Sequence, residues 1–261
     1  MDKEIYGLIR DADIVLIGIG EEFERRDDKP ETEEYKNYRK EEPLLAGFER
    51  LSYWKEHPDD KAIDAYNQLY DWVKDKDYFV VTTCMDDRIY DSKFPADRIT
   101  APCGTWRYLQ CSDCCTEELL PVSLQMIEEK KPIYCPHCGK EAVFNQVTCG
   151  KYNESGYMPQ WAAYRNWLQK TINRKVCIIE LGVGMQFPTI IRWPFEKIAF
   201  CNQKASFIRV HSFLYQLSEE LHGKGKSIKA PPVCPLRYAG SPAATCRRCW
   251  WAVRSLRSPL C

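Results

Sequence analysis

Apolar residues in this chain come as short unbroken runs that end on small or polar positions, alternating with stretches where they recur every three or four residues. "IVLIGIG" (14–20) is continuous rather than alternating, the pattern of a strand buried on both faces, and it closes on glycines. "YFVVTT" (78–83), "KVCIIELGVG" (175–184) and the shorter "ASFIRVH" (205–211) repeat it. Between them, Ile63, Tyr66, Tyr70 and Val73 mark one face of a helix over about 60–76, and Trp161, Tyr164, Leu168 and Ile172 mark the face of another. "FPTIIRWPFEKIAF" (187–200) predicts a helix after Pro188, with Pro194 bending or ending its first part. Strands alternating with helices predict an α/β fold built on a doubly wound parallel sheet, whose ligands sit beyond the carboxyl ends of the strands. The junctions after the first, second and third runs all lie at that end.

Two stretches break the alternation. Residues 21–43 are densely charged, and "RRDDKPETEEYKNYRKEE" (25–42) predicts a solvated helical or loop insert within a longer helical, charged insertion over about 21–76. After Lys229 there is no Lys, Asp or Glu, while five Arg, four Cys and the pair Trp250–Trp251 follow. The fold is therefore expected over 1–229, with 230–261 an atypical tail outside it; "CRRC" (246–249) has no second pair after it with which to hold a metal.

Composition narrows the partners. In 261 residues, 44% apolar and 13% aromatic, there is enough material for a sizeable core. Lys plus Arg and Asp plus Glu both number 37, so no net field points to a nucleic acid or a membrane surface. The run 14–20 is far shorter than a membrane span and follows Asp11 and Asp13 rather than a basic stretch, which points to a cytoplasmic protein. Fourteen cysteines in that setting read as reduced thiols and metal ligands rather than a disulfide framework.

Their spacing separates the ligands from the rest. "CPHCGK" (135–140) is a C-x-x-C pair followed by glycine, the tight turn that brings two thiolates to one ion. About twenty residues upstream, Cys111 pairs with Cys115 or with Cys114, giving with Cys135 and Cys138 the four thiolates of a closed, structural zinc ribbon inserted over about 106–149. His137 lies inside the turn and is expected to point outward. So small a lobe has little core of its own and depends on the ion.

The order of these pieces resembles a sirtuin: a glycine turn after the first strand, a polar strand end, a cysteine-glycine loop, a four-cysteine ribbon and a later glycine junction. Gly18-Ile19-Gly20 takes the place of the family's pyrophosphate-wrapping G-A-G, and "TTCMDD" (82–87) that of T-Q-N-[IV]-D. "PCG" (102–104) takes the place of H-G, "ELGVG" (180–184) of the G-[TS]-S segment on the adenosine side, and "RVH" (209–211) of an I-N dipeptide beside the adenosine ribose. "ELGVG", a following Pro and a W-P-F segment bring it nearer to divergent bacterial sirtuins, including the macrodomain-linked branch. That resemblance implies NAD or ADP-ribose as ligand, an acylated or carrier protein as a further partner, and ADP-ribosyl transfer or related NAD chemistry rather than classical deacetylation.

It also implies roles for residues. The cofactor-binding set would be Gly18, Gly20, Glu21, Thr82, Asp86, Gly182, Val183, Gly184 and His211. Glu21 and Glu22 are unusual neighbours for a pyrophosphate, and either one contacts a ribose hydroxyl or starts a solvated helix. Asp86 either faces the nicotinamide amide or orders its own loop. At the two catalytic positions the family's general-base histidine is Cys103 and its asparagine is Cys84. A thiol of ordinary pKa, about 8.5, copies neither role. Three readings follow, in this order: a dinucleotide-binding protein that is not a classical deacetylase, an NAD-dependent transferase or glycohydrolase that works without the histidine, and a thiol redox site at Cys84 and Cys103.

Overall fold

The computed structural model describes residues 2–25, 32–58, 60–221 and 223–233; the "CRRC" stretch and most of the atypical tail lie outside them. The chain runs α1 (Asp2–Asp11), β1 (Ile14–Ile19), α2 (Glu33–Glu41), α3 (Pro43–Glu56), α4 (Asp60–Val73), β2 (Asp77–Thr82), β3 (Ile99–Thr100), β4 (Gly104–Cys111), β5 (Leu120–Pro121), α5 (Leu124–Glu129), β6 (Ala142–Gln146), α6 (Met158–Leu168), β7 (Val176–Leu181), α7 (Arg192–Cys201), β8 (Ser206–His211) and β9 (Gly225–Lys229), with short 3-10 turns between.

Six strands form one sheet in the order β3-β2-β1-β7-β8-β9, every pair parallel. The continuous apolar runs become its central strands because both faces are covered. Along β1, Val15, Ile17 and Ile19 enter a core with Ile5 and Ile9 of α1 and Ala65, Tyr66 and Leu69 of α4. Ile14 and Leu16 turn the other way, onto Tyr164 and Trp167 of α6 and Phe195 and Ala199 of α7. This is the doubly wound α/β arrangement that the alternation predicted.

The other lobe pairs β5-β4-β6 antiparallel. Its apolar face does not stand alone: Leu44 and Phe48 of α3 pack on Leu109, Ala142 and Phe144, with Phe48 and Phe144 ring to ring at 5.5 Å. The helices inserted after β1 thus lend the cysteine lobe its core. Within that insertion, α2 has no buried residue.

The stretch 187–200 differs from its predicted form. Residues 188–191 are turn and the helix begins at Arg192. Pro194 sits in the first turn of α7, where its missing N–H has no intrahelical partner to lose, so it starts the helix instead of ending one.

Candidate functional site

Strand order reverses between β1 and β7, which opens a crevice at their carboxyl ends. The turns that follow these strands interlock there: Gly20 N–H donates to Leu181 O at 2.9 Å and Glu22 N–H to Gly182 O at 3.1 Å. A Cβ on Gly20 would lie 2.3 Å from Val183 Cα and 2.5 Å from Gly182 O, so the two backbones meet only because it is glycine. Gly182 adopts φ +65°, left-handed backbone that a side chain disfavours. Buried Val183 accepts Arg192 Nη1 through its carbonyl at 2.8 Å. Gly18 serves packing: a Cβ there would strike Ile191 and Phe195.

Carboxylates cover this edge. Glu21 accepts Gln186 N–H at 3.1 Å and stands where a Cβ on Gly184 would be, 2.5 Å from its Oε1. Its other oxygen accepts Thr83 Oγ1 at 3.4 Å. Glu22 accepts Ser212 N–H at 3.0 Å. His211, at the end of β8, is buried, and its Nδ1 accepts the N–H groups of Phe213 and Leu214 at 3.0 and 3.1 Å. Burial lowers its pKa against the opposing pull of Glu22, whose carboxylate lies 3.1 Å from Nδ1.

At the end of β2, Thr82 Oγ1 accepts Cys84 N–H at 3.0 Å. Asp86, its side chain 1% exposed, is paired with Arg88. It also accepts Arg25 N–H at 2.6 Å and Arg88 Nε at 2.8 Å, tying the loop after β1 to the segment after β2. This is loop ordering by a carboxylate, one of its two expected roles.

Both thiols are buried. Cys84 Sγ donates to Gly20 O at 3.1 Å; burial, then Asp86 and Glu24, push its pKa well above the ordinary value. Cys103 has no exposed surface, and burial, then Glu21 and Glu24, push it up to about 12. It lies in the turn leading into Gly104, whose φ is +87° and whose added Cβ would meet Asn145 O at 2.1 Å. Neither sulfur is a thiolate at neutral pH, and neither lines a described cavity of this region.

A cavity of about 490 Å³ opens beside them, between α2, α3 and β6. Glu24, Met85, Arg39, Arg50, Trp106 and Gln146 are among its walls. Glu24 Oε1 accepts Met85 N–H at 3.2 Å. Burial, then the neighbouring Asp86 carboxylate, push the Glu24 carboxyl up to about 7. Reading the sequence missed Glu24, because a carboxylate inside a charge-dense run looks solvated.

In the small lobe, the sulfurs of Cys111, Cys115, Cys135 and Cys138 all lie within 4.8 Å of one another. Cys111 and Cys138 are 3.5 Å apart, Cys115 and Cys135 3.4 Å. Four thiolates around a zinc at the usual Zn–S distance are separated by about 3.8 Å, so the donor set fits that ion. Cys114 turns away, donating to Lys151 O at 3.1 Å, which decides between the two spacings in favour of Cys115. His137 points outward, onto Glu118 at 3.0 Å.

No family model matches the chain. It is similar to solved structures of sirtuins: Sir2Tm bound to a propionylated peptide at TM-score 0.56 and 12% identity, covering 90% of this chain and 95% of the other, and Sir2Af2 bound to a myristoylated histone peptide at TM-score 0.57 and 14% identity, covering 90% and 94%. The chain has the sirtuin fold. Among curated proteins, a Staphylococcus aureus "Protein ADP-ribosyltransferase" is 20% identical over 247 residues, 82% of this chain and 78% of that protein. A Fusarium oxysporum f. sp. cubense "Probable bifunctional ADP-ribose hydrolase/ADP-ribosyltransferase" is 25% identical over 165 residues, 56% of this chain. The chain spans only 28% of that relative's length.

The resemblance to sirtuins implies a dinucleotide in this crevice. Glu21 and Glu22 at its mouth are acceptors suited to ribose hydroxyls and repel a phosphate laid directly on Gly184. Cations suited to phosphate, Arg39 and Arg50, line the cavity instead. Acceptors for ribose hydroxyls and cations for phosphate are thus both present in this region, a set of groups compatible with NAD or ADP-ribose.

Proposed function

We propose that this chain binds NAD or ADP-ribose at the carboxyl edge of its sheet and carries out ADP-ribosyl transfer or hydrolysis rather than classical deacetylation. The observation behind this reading is the state of Cys84 and Cys103. In the sirtuin motif match they take the asparagine and histidine positions, and both are buried, protonated thiols. Neither takes a proton at neutral pH. NAD, when bound, supplies a ribose carbon activated by its nicotinamide leaving group. Gly20, Gly182, Val183 and Gly184 would shape the floor, Glu21 and Glu22 would meet ribose hydroxyls, and His211 and Thr82 would hold the strand ends. Asp86 would keep the loop after β1 in place. The names of the two relatives, and solved sirtuin complexes with NAD+ or 2'-O-acetyl-ADP-ribose, support the ligand class.

The same reading takes 1–229 as the sirtuin-like unit, with zinc held by Cys111, Cys115, Cys135 and Cys138; of the tail expected to lie outside it, Ala230 and Val233 instead pack on the core of the sheet. Its acceptor would be an acylated or carrier protein, and its location cytoplasmic. Among the described residues no helix is long and apolar enough to cross a membrane. The deciding experiment is nicotinamide release from NAD by zinc-loaded protein, alone and with acylated or unmodified protein acceptors. Release with ADP-ribose attached to an acceptor or freed to water is the expected result. ADP-ribose binding without release leaves the reading of a dinucleotide-binding pseudoenzyme. The redox reading requires Cys84 and Cys103 to crosslink under mild oxidant, and the buried, protonated sulfurs are expected to stay unmodified in the mass spectrum.

A further inference from the structure

If neither thiol moves a proton, some other group in the site must. The titratable side chains lining the 490 Å³ cavity among the described residues are Glu24, Arg39, Arg50 and Cys149. Guanidiniums keep their protons at any working pH, and burial raises the thiol of Cys149. Asp86 is sealed against Arg88. Asp87 is half-buried, accepts Trp106 N–H at 2.8 Å and borders a different cavity. His211 is at the far edge with Nδ1 committed to two backbone N–H groups.

Glu24 is placed differently. One oxygen is fixed by Met85 N–H, and the other makes no hydrogen bond among the described residues. On the β6 wall of the same cavity, the Gln146 side-chain nitrogen is buried without a partner. An orphaned buried donor is costly, and sites that retain one are where a ligand oxygen supplies the missing acceptor. We propose that Glu24 is the general base of this cavity, taking the proton from the hydroxyl or water that attacks the ribose carbon, while Gln146 donates to the bound ligand. This rests on the transfer reading above. In the step, the acceptor O–H bond breaks and its proton passes to the Glu24 carboxylate. The oxygen keeps the electron pair and bonds to the ribose carbon as nicotinamide leaves with the pair of the old C–N bond.

The surroundings suit the task. Asp86 and Arg88 from the segment after β2, Cys84 beside them, Arg50 from α3, Tyr66 from α4 and Cys103 from the turn before β4 face Glu24. Burial and Asp86 hold its carboxyl near neutrality against the opposing pull of Met85 N–H and the two arginines. A base poised there combines a populated carboxylate with enough proton affinity to help the transition state.

The test uses the full zinc-loaded chain, Glu24→Gln and Glu24→Asp. Calorimetry of ADP-ribose binding in buffers of different ionisation enthalpy, between pH 6 and 8, reads proton exchange at the site without turnover. Wild type is expected to exchange a fraction of a proton, centred near pH 7; Glu24→Gln is expected to bind and exchange none. Nicotinamide release by wild type should rise through pH 7, and Glu24→Gln should be slower by about 10²–10⁴ and lose that rise. Glu24→Asp keeps a carboxyl and should retain the proton exchange with a reduced rate. Binding with no proton exchange in wild type, or Glu24→Gln releasing nicotinamide at the wild-type rate and pH profile, overturns the assignment and leaves the ligand reading intact. Failure of wild type to bind ADP-ribose overturns the ligand reading and this assignment together. If Glu24→Gln does not fold, the proton exchange of the wild type and of Glu24→Asp decides alone.

Discussion

Arg209 is the most exacting place to test the reasoning about this sheet. It lies on β8 directly beside Glu180 of β7 in the parallel register. Its Nε reaches Glu180 Oε2 at 2.6 Å and its Nη2 reaches Glu196 Oε1 at 2.6 Å, while Nη1 donates to Gln216 O at 2.7 Å. The side chains of Arg209 and Glu180 are 1% and 0% exposed. Changing Arg209→Met keeps the apolar stem and removes the only contact cation that balances Glu180 among the described ion pairs. Breaking a buried pair from one side costs about 3–5 kcal/mol, because the remaining charge has no water to return to. At a urea slope of about 2–3 kcal/mol per molar, the midpoint at pH 8 should fall by about 1–2.5 M. Burial already pushes the Glu180 carboxyl upward, so the orphaned acid takes up a proton on acidification and the loss should narrow at pH 5. The double change Arg209→Met with Glu180→Leu removes both charges and should recover most of the midpoint. Glu196, 20% exposed, can reach solvent. A single variant with an unmoved midpoint, or a double variant no better than the single, would refute the account of a mutually dependent buried pair.

Three further outcomes are expected. Purified protein should carry about one zinc per chain by elemental analysis; Cys135→Ser should lose it together with the β4–β6 lobe, and Cys114→Ser should keep both. Gly20→Ala should lower stability by about 1–3 kcal/mol in urea titration, since backbone rather than a flexible side chain blocks the added methyl. The Glu24 carboxyl rises from an ordinary 4.5 to about 7 on folding. The associated stability is complete below the unfolded pKa and is lost as pH climbs through 7, an effect of about 1–3 kcal/mol after discounting for the open cavity beside it. Glu24→Gln should therefore be less sensitive to alkali than wild type between pH 5 and 8, and equal slopes for the two proteins would argue that Glu24 is solvated.

Some of this architecture follows from residue order alone. Continuous apolar runs require cover on both faces, so 14–20, 78–83, 175–184 and 205–211 could become only buried parallel strands once helices alternated with them. Thiolate spacing is equally local, because a C-x-x-C turn determines where two sulfurs can meet, and the four ligands were legible except for the choice between Cys114 and Cys115. That choice needed the fold: the adjacent cysteines point to opposite sides, and the chain direction at 111–115 aims Cys115 at the pair 135/138. The helix α3 was hidden for a related reason. Its apolar positions face the small lobe, whose contacting residues Leu109, Ala142 and Phe144 lie between 61 and 100 residues further along the chain, a partner that no periodicity identifies.

The site itself divides along the same line. Sequence determined which groups stand at the strand ends, including the thiols of Cys84 and Cys103, since those positions follow a strand by fixed spacing. Whether each group is charged, exposed or paired depends on neighbours brought from elsewhere. Glu24 reads as one more solvated carboxylate until Asp86 and the walls of the cavity surround it. Arg209 and Glu180 each look like an isolated flaw in an apolar run until the parallel register sets them side by side. Spacing is written in covalent geometry and so is read from the chain, whereas desolvation and charge pairing act through space and exist only once the chain has folded.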